Sequence, residues 1–279
     1  MNKKSTEFIR IAIIAAILVF VGVYWYFQPN DPFKVLAILG SLSWLLLLYN
    51  LIERAIVKPD VEIIPDKMLE IGYTTLGPII NMHIALFAKN KRSLIRNMEM
   101  NVTHENNDTY KLSWEWFEEL IHEMNLPETN VPTRKNQKAI ALNIGEDELI
   151  EKKIGFQHKQ FKRKYSQSVL ETSNKYLNIV INGQGNAEEV RRTDEYNKMR
   201  DLFSNSFIWK SGRYTSQIKV YIIDRDLPFL ETIEFELTPL DITSLSSNIS
   251  ICQNIVEHSF TGVQHESFGN WNWISKERK

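Results

Sequence analysis

Residues 152–165, KKIGFQHKQFKRKY, gather Lys152, Lys153, Lys159, Lys162, Arg163 and Lys164 with no Asp or Glu among them. Such a run is suited to meeting an anion, and three readings stand side by side. The lysines can form a solvated strand edge, where charge discourages edge-to-edge pairing. They can face anionic lipid, where each cation near the headgroups gains about 1 kcal/mol. Or they can hold a nucleotide or other anionic ligand, with Phe156, Phe161 and Tyr165 as stacking partners. The chain after Pro59 has a small acidic excess, so the basic run is a local feature against the prevailing sign.

Other chemistry-bearing residues are dispersed. Among the six histidines, His104, His122, His158, His258 and His265 lack a second His or Cys three or four residues away, the spacing that a metal site on one element needs. The sequence contains no G-x-S-x-G elbow, no Walker loop and no G-x-G-x-x-G; NGQGN, residues 182–186, lacks the lysine of a phosphate loop. Cys252, the single cysteine, sits in NISICQNIV, a setting for a small buried residue rather than an activated thiolate. The acidic clusters EWFEE and GEDE read as solvated faces. These observations predict a protein that is not an enzyme, with no catalytic residue, no metal and no cofactor.

The elements that would position the basic run divide sharply. Ile11–Asn30 and Val35–Ile52 carry no charged residue, and each run has about the length needed to cross a hydrocarbon core of roughly 30 Å. The first ends in Tyr24, Trp25, Tyr26 and Phe27, which suits an interfacial belt better than a cleavage site. QPNDPFK between the runs is a turn. The expectation is a transmembrane hairpin over 1–58, with helices at about 9–27 and 35–52, followed by a domain over 59–279. Lys3, Lys4, Arg10, Arg54 and Lys58 flank the hairpin on the side of the termini, which predicts an inner-membrane protein with both termini cytoplasmic. The lone cysteine agrees with that side. The sequons at Asn101, Asn107 and Asn248 are then chance matches. Gly22, Gly40, Ser41 and Ser43 are small enough for close helix contacts and a homo-oligomer through the helices. A linker from Glu53 to Pro59 reaches at most about 25 Å, holding the domain and its basic run against anionic lipid.

Within 59–279, INMHIALFA reads as a strand, LIRNMEMNVTH and TYKLSWEWF alternate apolar and polar residues, and KNKRS and ENND divide the three, the pattern of an antiparallel sheet with one buried face. Helices are expected over 186–203 and from the Thr238-Pro239 boundary through LDITSLSSNISICQNIVEH, while NLPETNVPTRKNQKA reads as a long loop. FIWKSGRYTSQIKVYI, with its W-x-x-G-x-Y pattern, resembles the late strands of immunoglobulin-like sandwiches, and ALFAKNKRSLIRNMEMNV resembles a strand, loop and strand of the same module. The resemblance implies a mainly-β sandwich with one or two accessory helices; a barrel stands close behind. The order of hairpin and β-rich domain is similar to that of bacterial membrane effectors in nucleotide-signalled phage defence. Two functions follow as expectations: a non-enzymatic, membrane-anchored cytoplasmic sensor or interaction module, or a membrane-disrupting effector gated by a nucleotide or other small anion.

Overall fold

The computed structural model describes residues 58–279 apart from 126–129, 182, 184 and 262–269, together with a few isolated positions before 58. Among the described residues ten strands form one antiparallel sheet: β1 Asp60–Thr74, β2 Gly77–Lys89, β3 Ser93–His104, β4 Thr109–Asn125, β5 Asn130–Lys138, β6 Leu142–Ile144, β7 Leu149–Gln157, β8 Gly212–Ile222, β9 Phe229–Leu237 and β10 Ile274–Glu277. Their order is β10-β1-β2-β7-β4-β3-β8-β9, with β5 beside β4 and β6 beside β3. Inserted before β8 are α1 Lys159–Tyr176, α2 Ala187–Arg191 and α3 Asp194–Asn205, and α4 Pro239–Thr261 follows β9.

The long strands curl until the sheet is nearly a closed barrel. Its two ends meet at β1, β9 and the chain segment after β10. There the Arg278 amide donates to the Lys67 carbonyl at 2.8 Å and the Lys279 amide donates to Glu234 of β9 at 2.9 Å. The alternation seen in the sequence sets the inside: Leu69, Ile71, Ile80, Met82, Met98, Met100, Ile154, Phe156, Ile218, Val220, Ile233 and Phe235 share one buried cluster with residues of α1, α3 and α4. The helices extend this core. Tyr73 donates its hydroxyl to the Phe203 carbonyl at 2.6 Å, Phe161 packs against Tyr73 and Phe203, and Leu245, Cys252 and Val256 of α4 are buried.

The immunoglobulin-like sandwich is therefore corrected to a single barrel-like sheet. The physical reason is β7, which bonds to β2 on one side and β4 on the other and so joins strand groups that a sandwich would place in separate layers. The loop expected over 125–139 contains strand β5. The helix expected over 186–203 is two helices broken at Thr193, whose hydroxyl accepts from the Tyr196 amide as the cap of α3. Near Thr238-Pro239 the expectation holds: the Thr238 hydroxyl accepts from the Asp241 amide while Asp241 accepts from the Thr238 amide and hydroxyl, a reciprocal capping box with proline at the first helical position.

The membrane expectations are overturned as well. Among the described residues no helix is long and apolar enough to cross a membrane. α1 is 18 residues long but carries Lys159, Lys162, Arg163 and Lys164 of the basic run, and α4, with 23 residues, carries Ser, Thr and Asn along its length. The described helices thus give the integral inner-membrane location and two-pass topology no support; apart from isolated positions, the runs at 9–27 and 35–52 lie outside the described residues.

A tryptophan-lined groove as the candidate site

The outer face of the sheet carries the candidate site. Between the inward-pointing Leu69 and Ile71, Glu70 points outward; so do Asn81 between Ile80 and Met82, and Gly155 between Ile154 and Phe156. Strand register places them in one row, with Ser275 opposite Glu70, Glu70 opposite Asn81, Asn81 opposite Gly155 and Gly155 opposite Trp116. A β-bulge between Trp114 and Trp116 turns Trp114 into the core and Trp116 outward. Ser275, Glu70, Asn81 and Trp116 of this row form the floor of a groove of about 540 Å³, whose walls include Trp271, Trp273, Leu76, Glu118 and Asn136.

Two glycines seat the tryptophans. A Cβ on Gly155 would collide with the Trp116 indole, and one on Gly72 would collide with Trp273. Each indole thus occupies space that any other residue type in the strand would fill. The segment bearing Trp271 and Trp273 is held from behind by α4. The Asn248 side chain accepts from the Asn272 amide at 2.9 Å and donates to the Asn272 carbonyl at 2.8 Å, while the Asn272 side chain donates to the Ser247 hydroxyl. Trp273 remains 37% exposed, so the seated ring still faces the groove.

Polar chemistry lies between the rings. The Lys153 ammonium stands 2.9 Å from a Glu70 carboxylate oxygen. Asn81 is only 5% exposed; its amide nitrogen has a long 3.5 Å contact to Glu70, and its Oδ1 has no hydrogen-bond partner. Reversing the amide would set its oxygen against the Glu70 carboxylate, so the present orientation is the favourable one. A buried acceptor left unsatisfied costs about 1–3 kcal/mol; Oδ1 has almost no accessible surface as it stands, so a ligand donor recovers that cost only when the side chain turns to present it.

The basic run is split by the fold. Lys152 and Lys153 lie on opposite faces of β7: Lys152 reaches over the Phe117 ring at 5.7 Å, and Lys153 enters the groove. Lys159, Lys162, Arg163 and Lys164 are exposed on the first turns of α1, where Lys162 bonds Glu115 at 2.5 Å. β7 is a central strand, so the lysines do not line an edge. Phe156 and Phe161 are 0% and 1% exposed and belong to the core; Tyr165 is half-buried and stacks on Phe161 with ring centroids 5.9 Å apart. At the start of α1, His158 caps the helix without a side-chain bond, and burial, aided by nearby Lys164, holds its pKa below the ordinary histidine value. Among the described residues no three His, Cys, Asp or Glu side chains form a group suited to a metal.

Of the groove, sequence reading picked out only Lys153. Trp116 was legible as part of an alternating strand, and WNW at 271–273 carried a visible signal: two tryptophans two residues apart in a polar segment place both rings on one face of an extended chain. The seats at Gly72 and Gly155 had no such signal.

Fold and groove together define the class: a curled, ten-stranded antiparallel barrel, buttressed by helices, with an aromatic groove on its outer face. No family model and no curated protein matches the sequence. Among solved structures, the chain is similar to a family 123 glycoside hydrolase from Clostridium perfringens studied for glycolipid glycan hydrolysis, at 13% identity and a TM-score of 0.31, over 65% of this chain and 28% of that one. A likeness of that size assigns no activity.

Proposed function

We propose that this protein is a non-catalytic recognition module and that its ligand lies in the outer-face groove. The observation that carries the reading is Asn81, a nearly buried side chain whose acceptor oxygen lacks a partner beside the seated indoles. Binding pockets combine apolar and aromatic walls with a few fixed polar groups, and the groove has that composition. The test is mass spectrometry of the full chain purified from its own cells under native conditions. A small molecule retained by the wild type and lost from Trp273→Ala supports the reading; equal retention by both proteins removes the groove as its site.

A second reading is favoured by Lys159, Arg163 and Lys164 on the first turns of α1. Cations at the positive end of a helix macrodipole are locally unfavourable, and a small anion such as a nucleotide phosphate would relieve that. Charge reversal at these three positions abolishes nucleotide binding by the full chain if the reading holds. Unchanged affinity returns them to solvated surface.

A further inference from the structure

We infer that the groove takes a neutral carbohydrate, a short oligosaccharide; this rests on the groove being a binding site. A pyranose presents two kinds of surface: a patch of C–H groups that packs on an indole, and a rim of hydroxyls that both donate and accept. The groove offers the complement of each. Trp116, Trp271 and Trp273 supply indole surface, and Trp116 and Trp273 are fixed by their glycine seats. Asn81 Oδ1 needs a donor that the protein does not supply. Asn136 and Lys153 can donate, and the carboxylate of Glu70 can accept.

The competing ligand classes each fail on one of these groups. A phosphate or carboxylate ligand would meet Glu70 and Glu118, while Lys153, the lysine among the described residues that line the groove, is already engaged by Glu70 at 2.9 Å. A quaternary ammonium would suit the indoles, but it would compete with Lys153 for Glu70, and the ammonium group itself has no N–H to give Asn81. A purely apolar ligand would close over Asn81 and leave its acceptor unsatisfied. Hydroxyl groups without net charge answer the whole set. The open outer face also lets a chain of rings run past the site, and a volume of about 540 Å³ lies within the range of small-ligand pockets.

The experiment titrates the full chain with cellotriose, maltotriose, mannotriose and tri-N-acetylchitotriose, and separately with ATP and with choline, reading tryptophan emission and calorimetric heat. At least one trisaccharide should shift the emission and bind. Trp116→Ala, Trp273→Ala and Asn81→Leu should each weaken that binding by tenfold or more with an unchanged circular-dichroism spectrum. Because Asn81→Leu changes a buried position, Trp273→Phe serves as a second variant, expected to keep most of the affinity through its smaller ring. Silence with all four sugars overturns the inference. If ATP or choline binds instead and Trp273→Ala abolishes it, the carbohydrate class is refuted while the groove survives as a site. If no probe binds and co-purified material is the same with and without Trp273, both readings fall.

Discussion

Asn248 holds Asn272 by both backbone groups, taking the amide at 2.9 Å and giving to the carbonyl at 2.8 Å, across 24 residues of sequence. The asparagine is 0% exposed, so a side chain of α4 acts as one more strand partner for the segment between Trp271 and Trp273. Asn248 also begins a sequon, and its burial leaves no room for a glycan on the folded chain.

Asn248→Leu should therefore loosen the tryptophan segment more than it disturbs the barrel. Two hydrogen bonds and a partly desolvated backbone pair are lost, about 1–3 kcal/mol in all. Urea unfolding checks the stability. The emission maximum of the native state checks the segment and should move to the red as Trp273 leaves its seat.

Gly155→Val should expel Trp116 from the floor of the groove. Valine suits a central strand, yet its side chain needs the volume of the indole, and overpacking of this kind costs about 1–3 kcal/mol. The expected result is a folded protein with altered near-ultraviolet dichroism and a lost groove ligand. An unchanged aromatic spectrum would mean that the strand moves rather than the ring.

Stability should fall as pH rises above about 9. Burial pushes the Cys252 thiol above its ordinary value of about 9.0, raises Tyr73 above its ordinary 10.0, and takes Tyr214 up to about 12 against the opposing hydrogen bond to Lys210. Each group has a folded pKa above its unfolded one, so its contribution is whole below the unfolded value and is lost as pH climbs toward the folded value. Urea midpoints at pH 8 and pH 11 should differ, with the lower midpoint at pH 11. The same burial predicts that Cys252 reacts with a thiol reagent at pH 8 only after denaturant is added.

Lys159→Glu should raise stability by about 0.3–1 kcal/mol, because it places an anion in place of a cation in the first turn of α1, where no acidic residue stands now. Thermal melts at low and high salt check it; the gain should shrink as salt screens the dipole.

Much of the strand content was legible because period-two alternation in β3, β8 and the second half of β2 is a local signal that burial follows, although the bulge between Trp114 and Trp116 breaks it in β4. The layer arrangement was not, since β7 lies at the head of the basic run and its lysines mask the apolar pair Ile154 and Phe156. The β5 strand was hidden behind Pro132 and a run of polar residues, which an edge strand beside β4 tolerates. Site legibility failed for a different reason. Asn81, Gly155 and Trp116 meet only through the register of three strands, and no spacing along the chain encodes that meeting.

The pairing of β1 with β10 sets Ile71 against Ile274, a contact between strands separated by about 200 residues. A ribosome adding roughly 5–20 residues per second would finish β1 tens of seconds before β10 emerges. During that interval one flank of β1 lacks the neighbour it will have, and β9 lacks the chain segment that stitches it to β1. The nascent protein therefore passes through a period with two open sheet edges, and β10 with the segment after it is what ends that exposure to strand-to-strand aggregation.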